Sequence, residues 1–153
     1  MPKKKSVKHS VDAFKKEVEA VKEFLDHLPK GLSDLQVSWQ FEYAVILLYR
    51  EFERLILDVI VAAINNDTET LHAVTGYEFP KHLTDEVCRY IVVNNGYFDF
   101  RGRDGLIKKV KNYVPEDHYL TLLLREKKYR RPLDLLSSMR NYAAHGSDYA
   151  KNQ

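Results

Sequence analysis

From Ser38 to Asn65 the chain contains neither proline nor glycine, and the stretch is rich in Leu, Ile, Val and Ala. Nothing in it interrupts a helix. Between residues 43 and 64 its apolar residues fall on more than one helical face. A helix that is apolar around most of its circumference has to be buried on most sides. The run therefore predicts a long central helix with others packed around it. Ser33 and Ser38 can both cap it. Ser38 is the better placed, because Trp39, Tyr43, Ile46 and Leu47 follow at helical spacing. Arg50, Glu51, Glu53, Arg54 and Asp58 interrupt the apolar run. They read as an exposed stripe in which Arg50 and Arg54, and Arg54 and Asp58, are neighbours one turn apart.

The remaining segments supply partners for this helix. Ser10 caps an expected helix over residues 10–28, with Val11, Phe14, Val18, Val21, Leu25 and Leu28 at spacings of three and four. Asp67 or Thr68 starts a short helix ended by Gly76. Thr84 caps another, ended at residues 94–96. Residues 97–105 read as an ordered loop pinned by Phe98 and Phe100, with a short strand as the alternative. Residues 106–114 form a helix stopped by Pro115, and Glu116 or Asp117 starts the next, with Tyr119, Leu120, Leu122, Leu123 and Leu124 as its core. Pro132 suits the first turn of a last helix, where a missing N–H costs nothing. Leu133, Leu135, Leu136, Met139, Tyr142 and Ala143 are its expected buried side, and Gly146 its C-terminal stop. No pair of alternating strands is present. The expected fold is all-α, a helical bundle of about six or seven helices. Residues 1–8 read as a disordered basic tail and residues 9–153 as a single domain.

The bulk numbers fit one domain of 153 residues, with 44% hydrophobic and 30% charged side chains. Cys88 is the single cysteine, which leaves no intramolecular disulfide and no cysteine-built zinc site, and suits a reducing cytoplasm. No apolar run approaches membrane-spanning length, so no membrane partner is expected. The net charge of +2 conceals an asymmetry. Residues 9–100 carry 8 Lys/Arg against 16 Asp/Glu, whereas residues 101–131 carry 10 against 4. The basic block, which includes Lys127, Lys128, Arg130 and Arg131, immediately precedes the last helix. That placement suits a polyanion such as RNA.

The last helix holds Met139-Arg140-Asn141-Tyr142-Ala143-Ala144-His145-Gly146. Histidine is the side chain whose ordinary pKa lies nearest neutrality, so it can take or give a proton at working pH. Arginine stays charged and grips phosphate oxygens through a fork of donors. Together they suit attack of a ribose 2′-hydroxyl on its own phosphodiester, with no metal and no cofactor required. No His/Asp/Glu set shows ligand spacing. Residues five apart on a helix are separated by about 140°, so Arg140 and His145 do not share a face. Asn141 and His145, four apart, do, and the amide is placed to orient the imidazole. A second copy of the helix end, admitted by the small Ala143 and Ala144, would complete the site in a homodimer.

The stretch Arg140 to Gly146 resembles the Arg-x4-6-His motif of the HEPN superfamily, in the form where Asn follows the Arg and Ala precedes the His. The order of helices, with a long aliphatic helix early and the motif on the last, is similar as well. The resemblance implies a HEPN-like bundle and a metal-independent endoribonuclease, acting as a toxin or antiphage defence effector. It implies Arg140, Asn141 and His145 as site residues. It also implies an acidic residue from the long helix, Glu51 or Glu53, facing them. An antitoxin or other regulatory protein is a further implied partner. HEPN toxins paired with small nucleotidyltransferases carry a tyrosine two positions after the His. Here that position is Ser147, which sets the chain apart from that subgroup. The alternatives are a non-catalytic HEPN domain that binds RNA or a protein, and a purely structural bundle.

Overall fold

The chain begins with a helical hairpin whose two arms are locked by buried polar contacts as well as by oil. The computed structural model describes residues 6–94 and 96–145. Its first two helices are α1, Val7–Asp26, and α2, Asp34–Asn66. Helix α1 starts earlier than expected, because Ser6 rather than Ser10 is its cap and accepts the His9 N–H at 3.3 Å. Residues 7 and 8 of the expected tail are therefore helical, and residues 1–5 lie outside the described residues. Ser10 is buried instead, and donates to Asp58 Oδ2 at 3.0 Å. Ser33, not Ser38, caps α2. Its hydroxyl accepts the Gln36 N–H, and the Gln36 side chain accepts the Ser33 N–H, a reciprocal capping box.

The bundle is all-α. Among the described residues it adds α3 (Glu69–Thr75), α4 (Asp85–Val93), α5 (Gly102–Val110), α6 (Tyr119–Arg125) and α7 (Arg130–His145), with a 3-10 turn at Lys127–Tyr129. No described helix is long and apolar enough to cross a membrane. Helix α2 contacts α1, α4 and α7, and α5 packs on α6 and α7. At about 50 Å long, α2 is central over its second half only. Its residues Ile56, Leu57, Val59, Ile60, Val61 and Ile64 are buried. Its first half leaves Trp39, Tyr43 and Ile46 exposed, against the expectation of burial from residue 43 onward. Apolar patterning states that a face wants cover. It does not say whether the same chain supplies it.

The acidic interruptions of α2 also part company. Asp58 is 4% exposed, and its Oδ1 accepts from Arg89 of α4 at 2.7 Å. It joins α1, α2 and α4 rather than sitting on a solvated stripe beside Arg54. Burying a carboxylate is costly unless it is paired and hydrogen-bonded, and here it is both.

The segment after α4 corrects two expectations. Thr84 caps α4 and Asn94 ends it in the left-handed region, as the sequence suggested. Phe98 and Phe100 are buried and pin the following loop. The loop is shorter than expected, however, because α5 starts at Gly102. Its cap is not local. Asp134 Oδ1 of α7 accepts the Arg103 N–H at 2.8 Å, and Ser137 Oγ of α7 accepts the Gly102 N–H at 3.1 Å. His118, not Glu116 or Asp117, caps α6, accepting the Leu120 N–H. Glu116 instead holds Lys111 and Arg125. Of the expected core of α6, Leu120 and Leu124 are buried while Tyr119, Leu122 and Leu123 are exposed. On α7, Leu133 is buried, but Leu135 and Met139 are exposed. Gly146 lies outside the described residues.

Gly102 and Gly105 should answer differently to substitution. Gly102 has φ +61°, and a Cβ there would meet Asp134 Oδ1 at 2.8 Å. Gly102→Ala should cost about 2–3 kcal/mol through strain and loss of the inter-helix cap. Gly105 is inside α5 with ordinary room around it. Gly105→Ala should gain about 0.5–1 kcal/mol from helix propensity. Urea unfolding of the two variants checks both signs.

Candidate functional site

The site forms where α2, the loop before α5, and α7 meet. Tyr49 and Glu53 lie one turn apart on α2, so they project on the same side. Tyr49 is 2% exposed, and its hydroxyl donates to the Phe100 carbonyl at 2.8 Å. The two rings stack with centroids 5.1 Å apart. Phe52 meets Phe100 edge-on, and Phe14 of α1 packs against Phe52. This aromatic series fixes the loop against α2. Lys109 of α5 holds its other side, donating to the Asp99 carbonyl at 2.6 Å and lying over the Phe98 ring.

Arg140 of α7 rests on this platform. Its guanidinium carbon lies 5.2 Å from the Tyr49 ring centroid, a cation–π arrangement. Its Nη1 donates to Asn141 Oδ1 at 3.1 Å. The Asn141 amide was expected to hold His145, but its oxygen is turned to Arg140 instead. His145 is exposed at the end of α7. An open cleft of about 770 Å³ takes in Asp99, Arg101, Asp134, Arg140, Asn141 and His145. One chain thus brings Arg140 and His145 to a common cleft although they do not share a helical face.

The two acidic candidates separate. Glu51 accepts from Arg50 at 3.0 Å and lies 3.7 Å from Arg54, on the side of its own helix. Glu53 does not line the cleft, but it is the one that feels the charges of Asp99, Lys109 and Arg140. Burial pushes its carboxyl up to about 7; the nearby Asp99 adds to the rise, and Arg140 and Lys109 oppose it. Glu53 Oε1 is buried without a hydrogen-bond partner among the described residues. Burial, with Glu53 and Asp99 nearby, also raises the Tyr49 phenol, which keeps it a proton donor.

The basic block divides as well. Arg103 donates to the last carbonyls of α6, those of Leu124 and Arg125, where a positive charge meets the negative end of the helix dipole. Lys111 and Arg125 are held by Glu116. Lys128 pairs with Glu126 at 2.6 Å. Lys127, Arg130 and Arg131 line a groove of about 460 Å³ together with Asp134, Leu135 and Ser138, and Arg130 also lies 3.9 Å from Asp104 and 4.0 Å from Asp134. Asp134 and Ser138 border the Arg140 cleft too, so groove and cleft run together along α7.

No protein-family model, curated protein or solved structure matches the chain. The geometry has to speak alone. Tyr49, Asp99, Asp134 and Ser137 were not singled out in the sequence. Asp134, Ser138, Asn141 and His145 share one polar stripe of α7 at spacings of four, three and four, which is a signal that could have been used. Tyr49 and Asp99 carry no such mark.

The raised Glu53 pKa has a measurable consequence for stability. An acid held at about 7 in the folded chain and 4.5 otherwise favours folding fully below pH 4.5. That contribution is lost as pH rises to 7, because the unfolded chain gives up the proton first. Glu53 is partly exposed, so solvent screening reduces the effect to about 1–2 kcal/mol. Glu53→Gln should therefore gain about that much relative to the native chain between these two pH values. Denaturant titration at both pH values measures it.

Proposed function

We propose that the chain is a metal-independent endoribonuclease of HEPN type, with Arg140 and His145 as its catalytic pair. The single observation that carries the reading is the common cleft. It joins a proton-transfer group, a guanidinium and a continuous basic approach. In the reaction, the His145 imidazole takes the proton from a ribose 2′-hydroxyl. The 2′-oxygen attacks the adjacent phosphorus and the bond to the 5′-oxygen breaks. A 2′,3′-cyclic phosphate remains; the 5′-oxygen takes a proton from water and leaves as a hydroxyl, and the His145 imidazolium returns its proton to solvent. Arg140 neutralises charge on the phosphorane, an electrostatic contribution that grows toward the transition state. Lys127, Arg130 and Arg131 draw the RNA strand along α7. Asn141 supports Arg140 rather than His145.

A homodimer fits the same region. Phe41 and Met139 are 49% and 43% exposed, and with Val45, Tyr142 and Ala143 they line an apolar groove beside the motif. The reading as a toxin or antiphage effector rests on the resemblance of the motif, and an antitoxin or other regulator would use the same apolar groove. One observation favours a non-catalytic RNA-binding domain instead: the Asn141 oxygen is spent on Arg140, which leaves the imidazole unoriented by it.

Cleavage of a structured RNA in EDTA separates the two. The catalytic reading expects activity that His145→Ala and Arg140→Ala each lower by about a hundredfold or more. RNA binding without cleavage by the native chain would establish the binding domain in its place.

A further inference from the structure

Glu53 lies one turn along α2 from Tyr49, over whose ring Arg140 rests, but it is not paired with Arg140. Among the described residues no carboxylate lies within ion-pair distance of Arg140, whose Nη1 donates to a neutral amide and whose plane lies over Tyr49. Glu53 meanwhile has a buried carboxyl oxygen without a partner. Two groups that would attract one another strongly if both were charged therefore stand apart. A protonated Glu53 explains this arrangement. The charged and titratable groups that act on it come from each neighbouring element: Tyr49 from its own helix, Asp99 from the loop, Lys109 from α5 and Arg140 from α7. Asp99 is fixed from its own side. Its Oδ1 accepts the Phe100 N–H at 2.8 Å and stands 3.5 Å from the Tyr49 hydroxyl, and its carbonyl accepts from Lys109. A like charge held still beside an acid disfavours a second negative charge there.

We propose that Glu53 is a proton-operated competitor for Arg140, with Asp99 setting the pH at which it acts. Protonated, Glu53 leaves the guanidinium to an RNA phosphate. When its proton passes to solvent, the carboxylate draws Arg140 into an ion pair at the base of the cleft and away from the strand. Neither Glu53 nor Asp99 touches RNA in this scheme, so both are positioning residues. The consequence for activity rests on the reading of Arg140 as the phosphate-binding group; the coupling of Glu53 to Arg140 does not.

Nuclear magnetic resonance titration of the full chain without RNA tests the coupling by itself. The side-chain carboxyl carbon of Glu53 and the Nε resonance of Arg140 are followed from about pH 5 to about pH 9, a range that brackets a shifted carboxyl. Both should move together with a midpoint near 7. Asp99→Asn removes the like charge and should lower that midpoint. In Glu53→Gln the Arg140 titration should vanish. An Arg140 resonance that does not titrate in the native chain, or titrates equally in Glu53→Gln, overturns the proposal. Affinity for a 2′-O-methyl RNA, which cannot be cleaved by this route, gives the functional arm. It should fall about tenfold more across the range in the native chain than in Glu53→Gln, the effect of a pKa about one unit higher in the complex. Coupled titrations in a chain that cleaves no RNA would remove the nuclease reading and leave the Glu53 competitor standing.

Discussion

Tyr49 is the point at which the three parts of the site are tied together. Its ring stacks on Phe100, its hydroxyl donates to the Phe100 carbonyl, and Arg140 lies over its ring. A buried tyrosine needs a partner for its hydroxyl, and a backbone carbonyl of the preceding loop supplies one. That one demand sets the position of the loop, hence of Asp99, hence of the charge beside Glu53. It also sets where α5 begins, because the loop delivers Gly102 and Arg103 to the side chains of Ser137 and Asp134. Helix α7 thus serves as cap for one helix and as carrier of the motif.

Electrostatics in the cleft follow from this packing. One face of α7 offers Arg140, and the basic groove approaches from Lys127 and Arg131. Asp99, Asp134 and Glu53 sit among these cations. A cleft lined by one sign alone would hold any polyanion. Under the proposed competition, the availability of the arginine would depend on the protonation of Glu53, which is a different property from affinity.

The sequence showed the fold well where structure was local. An uninterrupted apolar run, the Thr84 cap and the glycine and asparagine stops were enough to place the body of α2, though not its start at Ser33, and to place α3 and α4. It failed where a helix end was satisfied from a distance. The start of α5 was misplaced because its cap lies more than thirty residues away on α7. The exposed Leu122, Leu123 and Leu135 were assigned to the core because a leucine carries no mark of which apolar face finds cover. For the candidate site, Arg140, Asn141 and His145 were named from their chemistry and spacing, and Glu53, alongside Glu51, from the resemblance of the motif; the first three line one cleft. Tyr49 and Asp99 were not named, because a tyrosine in an oily helix and an aspartate in a loop acquire their meaning from what packs on them.

The central claim is that the cleft between the loop before α5 and the end of α7 holds the scissile phosphate. A crystal structure of the chain with a 2′-O-methyl RNA tests it most directly. The account predicts a phosphate oxygen within hydrogen-bond distance of the Arg140 guanidinium and the adjacent 2′-oxygen facing the His145 ring. RNA seated along Lys127, Arg130 and Arg131 with the Arg140 cleft empty would contradict it.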